Sequence, residues 1–459
     1  MLKAGFAEID ITPTMDVPMG RLFINVLRPE RVRWPPTGRI AVFSDGASIT
    51  AIIGLDLGIV VKPSNDELRA AIAAKTGLNP TDIMIACTHT HNGPAVWAWR
   101  PGEGVEYLDF LKQQLADGVA EALEALTAGE LTVGSIAAPG WCYNRRPVYR
   151  GRDGKEHVGT HGPRGGEDFL RMEGPEDKEL QAVLCRDGSG RPLGGLINFA
   201  CHPTNTYNVP AWSADFIGPL VESLRKEYGC PFVFLNGACG NLSQVSGIPG
   251  RGREGGEEHA QAMGEALAMK AIEALAAGRT ADDSGLRILR REIAIPQRRP
   301  TAEMIELAQW YLTQDPESVD QEDFTYRMYG HPYTMYHNSH SFQEWIARET
   351  LGMWEWQRRA ASRELIEDIE VQVIRIGDVA LASVPCEYFT EFGLEIKEKS
   401  PLSNTLVVEL ANGWHGYIPT YEGYEHGGYE ARFAYQNRLI EDAGYMMRDT
   451  ALELLKELI

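Results

Sequence analysis

The sequence predicts an α/β fold, a mixed β-sheet core flanked by helices, with a helical, aromatic-rich insertion. Three observations predict it. Short apolar, β-branched runs alternate with helical stretches in the first hundred residues. Glycine-containing turns then join later runs into hairpins, which adds antiparallel pairs to the sheet. Residues 300–360 depart from both patterns with a concentration of aromatics.

The elements follow in chain order. Residues 40–44 and 50–57 read as strands about the turn Asp45-Gly46. Ser64-Asn65-Asp66-Glu67 offers a capping box before an Ala/Leu helix that ends near Gly77. Residues 82–87 fit a buried strand, and Thr88-His89-Thr90-His91-Asn92-Gly93-Pro94 sits at its end. Loops after the carboxyl ends of strands are where sites assemble in open α/β sheets. Residues 108–126 form an amphipathic helix and 131–137 a strand. Residues 144–178 are rich in Gly, Arg, Asp and Glu and read as a long surface loop.

Residues 181–185 and 195–200 make a hairpin through Asp187-Gly188-Ser189-Gly190, and its second strand runs into Cys201-His202-Pro203-Thr204. Residues 232–235 are another buried strand, ending in a small-residue loop from Asn236 to Ser243, and 256–276 are helical. The insertion at 300–360 holds Trp310, Tyr311, Phe324, Tyr326, Tyr329, Tyr333, Tyr336, Phe342, Trp345, Trp354 and Trp356. Those rings either wall a pocket or only pack the insertion itself. A hairpin around Gly377-Asp378, a strand at 405–410, a Gly/Tyr-rich loop at 412–429 and a helix at 449–458 complete the chain. No internal repeat or low-complexity linker divides it, so a single domain is expected over 1–459.

Composition narrows the function. Asp and Glu outnumber Lys and Arg by 64 to 44, a formal charge of −20. That speaks against nucleic acid and anionic membrane as partners, because phosphate binding needs clustered positive charge. The start MLKAGFAEIDITP has no apolar run behind a basic segment, so no signal peptide is expected. No stretch approaches the roughly 18 apolar residues of a membrane span. Seven scattered cysteines without a CxxC pair suit reduced thiols and a cytoplasmic setting, each as a small core residue.

Among residues that carry chemistry, His89 and His91 form an HxH pair, weak evidence alone. His202, also behind an apolar strand, raises its value. Two strand-end histidines distant in sequence are what a catalytic zinc site draws on, with further N/O ligands and one position left open for water. Glu387, in Val384-Pro385-Cys386-Glu387-Tyr388-Phe389, is either a helix N-terminal carboxylate or a ligand. Tyr417 and Tyr429 stand in a Gly-rich stretch where tyrosines are usually structural, and for Arg145 the reading as an ordinary surface arginine stays open.

Together these segments resemble the neutral/alkaline ceramidase family. Ala4-Gly5-Phe6-Ala7-Glu8-Ile9-Asp10-Ile11-Thr12-Pro13 is similar to its AG…DITP start, and THTHNGP to its THTHSGP. Asn144-Arg145-Arg146-Pro147 resembles its NRSP, and the segment from Ile197 to Thr204 its FAxHxT. Gly240-Asn241-Leu242-Ser243 resembles its GDVS, and Pro385-Cys386-Glu387-Tyr388-Phe389-Thr390 its PGEFT. Gly416-Tyr417-Ile418-Pro419-Thr420, with Tyr429 twelve residues past Tyr417, resembles its SGYVTT…Y. The segments keep the family's order from about residue 4 to residue 430.

The resemblance implies Zn2+ held by His89, His202, Glu387 and Tyr417. It implies His91 as the general base that activates water, Arg145 and Tyr429 as donors to the oxyanion, and Ser243 at the substrate. The family's C-terminal β-sandwich domain is not expected here. The expected activity is zinc-dependent hydrolysis of an amide or ester in a small soluble N-acyl compound, with ceramide itself disfavoured by the acidic surface. A metal-dependent lyase on a uronate-containing saccharide is the alternative enzyme, and a zinc-stabilised binding protein the non-enzyme reading. A homo-oligomer stays open.

Overall fold

Two β-sheets stack face to face, and helices cover the outer side of each. The computed structural model describes residues 1–13, 17–20, 28–96, 105–151, 154–159, 168–246, 248, 255–282, 285–329 and 340–459. The larger sheet runs Phe232–Asn236, Pro192–Phe199, Glu179–Asp187, Thr127–Ala137, Lys3–Asp10, Thr37–Ser44, Ile49–Leu55, Ile83–Cys87, and Arg279–Thr280 adds to Thr127–Ala137. Ile83–Cys87 lies parallel to Ile49–Leu55, and Phe232–Asn236 parallel to Pro192–Phe199. Its other pairs are antiparallel, so the sheet is mixed. The smaller sheet runs Leu286–Pro296, Ile366–Ile376, Val379–Ser383, Asn404–Val408, with the last two parallel.

The period-2 alternation of strands sorts their side chains between layers. Ile40 and Val42 meet the helices Lys62–Thr76 and Val105–Glu124 through Leu68, Ile72, Leu111 and Leu115. Their neighbours Ala41 and Phe43 face the smaller sheet, at Ile374, Leu381 and Leu406. Farther along, Phe199, Phe232 and Phe234 pack on Ile217–Tyr228 and Glu257–Ala276. The far side of the smaller sheet, with Val371, Ala382 and Val407, meets Thr390–Lys399 and Ala443–Glu457. The order is helix, sheet, sheet, helix. The predicted sheet core flanked by helices is present. The stacking of a second sheet on it was not foreseen, because strands buried on both faces read as continuous apolar runs with no sign of what covers them.

Two local expectations are corrected. The first helix begins at Lys62, before the proposed capping box, with Pro63 in its first turn and no side-chain cap. Proline presets the helical φ and lacks the N–H that would go unpaired there, so Ser64 is not needed as a cap. The helix does stop at Gly77, whose φ of 76° is the left-handed conformation that glycine tolerates. Residues 144–178 are not a plain surface loop. Their described part holds the strands Pro147–Arg150, Glu156–Val158 and Phe169–Met172, and Arg146 is fully buried. Arg146 pairs inside the protein with Glu173 and Glu430, while Arg171 and Glu156 pair at the surface, and composition alone cannot distinguish the two.

The insertion is helical, as expected: Ala302–Tyr311, Gln321–Tyr329 and His340–Arg359. Leu307, Tyr311, Phe324, Phe342 and Ile346 form its own small core, and Tyr429 packs against that core from outside. Trp310 and Trp356 are exposed. Tyr333 and Tyr336 lie outside the described residues. All seven cysteines are buried free thiols. Among the described residues no helix is long and apolar enough to cross a membrane.

Candidate metal and catalytic site

Strand ends from both sheets converge on one spot. His89 and His91 follow Ile83–Cys87, and His202 follows Pro192–Phe199, both from the larger sheet. Glu387 and Tyr417 come from segments beyond the smaller sheet's strands. There they sit side by side in register, on the short parallel strands Glu387–Tyr388 and Tyr417–Ile418. The helix Thr390–Lys399 begins three residues after Glu387 and has Glu391 in its first turn, so the helix-terminal reading of Glu387 does not hold.

The imidazole Nε2 atoms of His89 and His202 are 3.2 Å apart. Glu387 Oε2 lies 3.2 Å from the first and 3.3 Å from the second. Tyr417 Oη is 3.5 Å from His202 Nε2, and its ring stacks on that of His202. His89, His202, Glu387 and Tyr417 are all buried. His89, His91 and His202 also present one nitrogen each within 4.8 Å of one another. His91 meets His89 edge-on, with ring centroids 4.9 Å apart, and both its nitrogens are buried without a hydrogen-bond partner.

The electrostatics follow from this crowding. Burial, reinforced by the neighbouring imidazoles His89 and His202, holds His91 well below the ordinary histidine range, so it is neutral at pH 7. Burial and the Arg145 guanidinium push His202 down to about 3. Burial would raise Glu387, but the facing His89 and His202 imidazoles outweigh it and hold its carboxylate well below the usual range. Burial would likewise lower His89, yet Glu387 keeps it raised. The site draws positive charge toward the Glu387 oxygen.

Backbone and buried polar groups aim these side chains. His89 has φ 69°, a conformation that non-glycine residues adopt at a cost, and its backbone N–H bonds Leu57 O at 3.0 Å. Its ring Nδ1 faces Gly58 O at 2.7 Å, and the His202 Nδ1 faces Cys239 O at 2.7 Å. A carbonyl only accepts, so each Nδ1 carries a proton, and in the neutral ring Nε2 is the atom with the free lone pair. Asn236 staples the two histidine loops, donating to Thr88 O (3.1 Å) and Cys201 O (3.2 Å). Glu409 accepts from the Cys239 N–H (2.9 Å) and the Tyr388 N–H (3.0 Å), which ties the His202 loop to the Glu387 strand. Neither Asn236 nor Glu409 was singled out from the sequence. Their signal was position: each is a polar residue directly behind an apolar strand, as His202 is.

Arg145 is buried, so the surface reading of it is corrected. Its Nε donates to Glu430 Oε1 at 2.8 Å, and its guanidinium lies over the Tyr417 ring, 5.5 Å from the centroid. Its Nη2 has no hydrogen-bond partner. Tyr429 meets Tyr417 edge-on at 5.5 Å, and burial pushes its phenol up to about 12, so it keeps its proton. Ser243 is buried on a short strand paired with Tyr143–Asn144, which directly precede Arg145 in the chain. Its hydroxyl donates to Gln244 Oε1 (3.1 Å) and accepts from the Val245 N–H (3.2 Å), and among the described residues no hydrogen bond links it to the histidines.

The loop carrying Tyr417 is pinned from behind. Gly416 has φ 84°, and a Cβ there would sit 2.1 Å from Gln436 O, so only glycine fits. His415 Nδ1 lies 2.5 Å from Glu367 Oε2, and Arg438 Nη2 donates to the same oxygen at 2.7 Å. Burial would raise Glu367, but His415 and Arg438 outweigh it and bring it down to about 2. A depressed carboxylate stabilises the fold fully above its unfolded value, and that contribution is lost as the pH falls through the folded value. From the unfolded value near 4.5 down to about 2, Glu367 is expected to account for about 3 kcal/mol of lost stability. Urea unfolding of wild type and Glu367→Gln across that range checks it: the wild type should lose stability with acid more steeply than the variant.

Two solved structures are similar to this chain. One is a neutral ceramidase from Pseudomonas aeruginosa, 18% identical, with a TM-score of 0.67 over 99% of this chain and 75% of that one. The other is a ceramidase complexed with C2, 17% identical, with a TM-score of 0.70 over 100% of this chain and 75% of that one. No protein-family model matches the chain, and no curated protein matches it significantly. The helix–sheet–sheet–helix architecture, over the full length of the chain, is thus a neutral-ceramidase-like fold.

Proposed function

We propose that this chain is a zinc-dependent hydrolase that cleaves an amide or ester bond in a small N-acyl compound. One observation carries the reading: three lone-pair atoms, His89 Nε2, His202 Nε2 and Glu387 Oε2, face one another at 3.2–3.3 Å. Such atoms repel unless a proton or a metal cation lies among them. Ligands at zinc distances of about 2.0–2.1 Å in a tetrahedron stand about 3.3 Å apart, so the spacing fits the ion. Glu387 Oε2, buried and without a hydrogen-bond partner, fits it as well. Tyr417 Oη is the fourth donor in reach.

A divalent ion held there would polarise a substrate carbonyl and lower the pKa of water. The chain's own residues supply the rest. His91, neutral and unpartnered, takes the proton of the attacking water and returns it to the leaving nitrogen or oxygen. Arg145 Nη2 and the protonated Tyr429 phenol are donors for the oxyanion of the tetrahedral intermediate. Both similar structures are called ceramidases, and ceramide is an N-acyl amide, which supports the bond type. The formal charge of −20 favours a small molecule in solution over a lipid in an anionic bilayer.

Metal analysis of the purified protein, coupled to a screen of N-acyl amides and esters with and without chelator, tests the proposal. A single zinc per chain and chelator-sensitive release of amine or alcohol are expected. Turnover that survives complete removal of metal would sink it. An ultraviolet-absorbing unsaturated uronate as product would mark elimination instead.

A further inference from the structure

Each of the two histidines in the group has a fixed partner on the ring nitrogen turned away from it, Gly58 O for His89 and Cys239 O for His202. The carboxylate has the equivalent. Trp414 Nε1 donates to Glu387 Oε1 at 3.0 Å, while Oε2 has no hydrogen-bond partner and faces the two Nε2 atoms. The two oxygens of one buried carboxylate are therefore unlike. One is held by an indole that can only donate, and the other is left for the cluster.

The indole itself has little freedom. Trp414 is 5% exposed and packs in the core formed with the larger sheet's helices. Its backbone neighbours are fixed, since the His415 N–H bonds Pro385 O at 2.8 Å and the Tyr417 N–H bonds Gln436 O at 2.7 Å. Asn412, at φ 65°, anchors the start of the same loop through the Ile85 N–H, Glu370 and Gln372.

We propose that Trp414 is a positioning residue for the metal site: its indole N–H holds Oε1 of Glu387 and so leaves Oε2 as the one oxygen turned to the ion. The inference rests on the zinc reading of the site. Without the N–H, the carboxylate is free to rotate and offer both oxygens, which loosens the fit and raises the coordination number. Partners of this kind behind a ligand typically contribute 10–100-fold to metal affinity.

The test is Trp414→Phe, which keeps an aromatic ring and deletes the donor. Zinc affinity measured by chelator competition is expected to fall about 10–100-fold. Cobalt-substituted variant protein should show weaker visible d–d absorption than cobalt wild type, as expected for a higher coordination number. Cobalt wild type alone gives a second check that needs no variant: its spectrum should be the intense one of four- or five-coordinate cobalt. Equal zinc affinity and an unchanged cobalt spectrum in a folded Trp414→Phe protein would overturn the inference and leave the zinc reading standing. So would a weak, six-coordinate spectrum in the wild type. A wild type that takes up neither zinc nor cobalt would instead overturn the reading on which the inference rests.

Discussion

Replacing His91 with alanine is expected, on the proposed zinc-hydrolase reading, to lower kcat/KM about 10²–10⁴-fold while the metal is retained. The size follows from the usual worth of a positioned general base. The retention of metal follows from geometry: His89, His202 and Glu387 already bring three donor atoms within 3.3 Å of one another without it. The competing arrangement is the three-histidine group, in which His91 is itself a ligand. Kinetics and metal content measured on one preparation decide between them. Loss of zinc together with activity would make His91 a ligand and remove it as the base.

Removing Glu430 is expected to be the most destabilising single change near the site. Its carboxylate lies between two buried guanidiniums, accepting from Arg145 Nε at 2.8 Å and from Arg146 Nη1 at 2.6 Å. Burial alone would raise it, but Arg145 and Arg146 bring it down to about 2, so it is ionised at all working pH values. Glu430→Ala strands those charges in the interior, and breaking a buried pair in this way costs about 3–5 kcal/mol. Arg146 keeps Glu173 as a second partner, so the damage should centre on Arg145. Activity should then fall even in protein that remains folded, because Arg145 loses the bond that aims its Nη2. Denaturant unfolding and kinetics on Glu430→Ala and Glu430→Gln check this. A stability change no larger than a surface pair's, below about 1 kcal/mol, would show that the clamp is dispensable.

The sequence made the histidines legible and most of their support illegible, for a physical reason. His89 and His202 each stand directly behind a short apolar strand, a pattern visible without any fold. Glu387 occupies the same kind of position but was indistinguishable from a carboxylate at a helix start. Only the structure shows the helix beginning three residues later. Arg145 looked like a surface residue because its segment is charged and glycine-rich, whereas its opposing charge, Glu430, lies far along the chain. Pairing across long separations leaves no local mark. Asn236, Glu409 and Trp414 act through partners equally remote in sequence, so residue type and spacing did not separate them from ordinary polar or aromatic residues. The stacking of the two sheets was hidden similarly: an apolar run records that both faces are covered and is silent on what covers them.

The division of the candidate ligands between the two stacked sheets has a consequence for how the protein is made. The histidines belong to the larger sheet, complete as far as residue 280, while Glu387 and Tyr417 arrive with the smaller one. A growing chain therefore exposes two imidazoles long before any oxygen can join them. On the proposed zinc reading, capture of the ion would be a late event, complete only once the segments carrying Glu387 and Tyr417 are in place. On the same reading, the ion would then act as a rivet between the two slabs, and its removal should be felt first as slippage of one against the other.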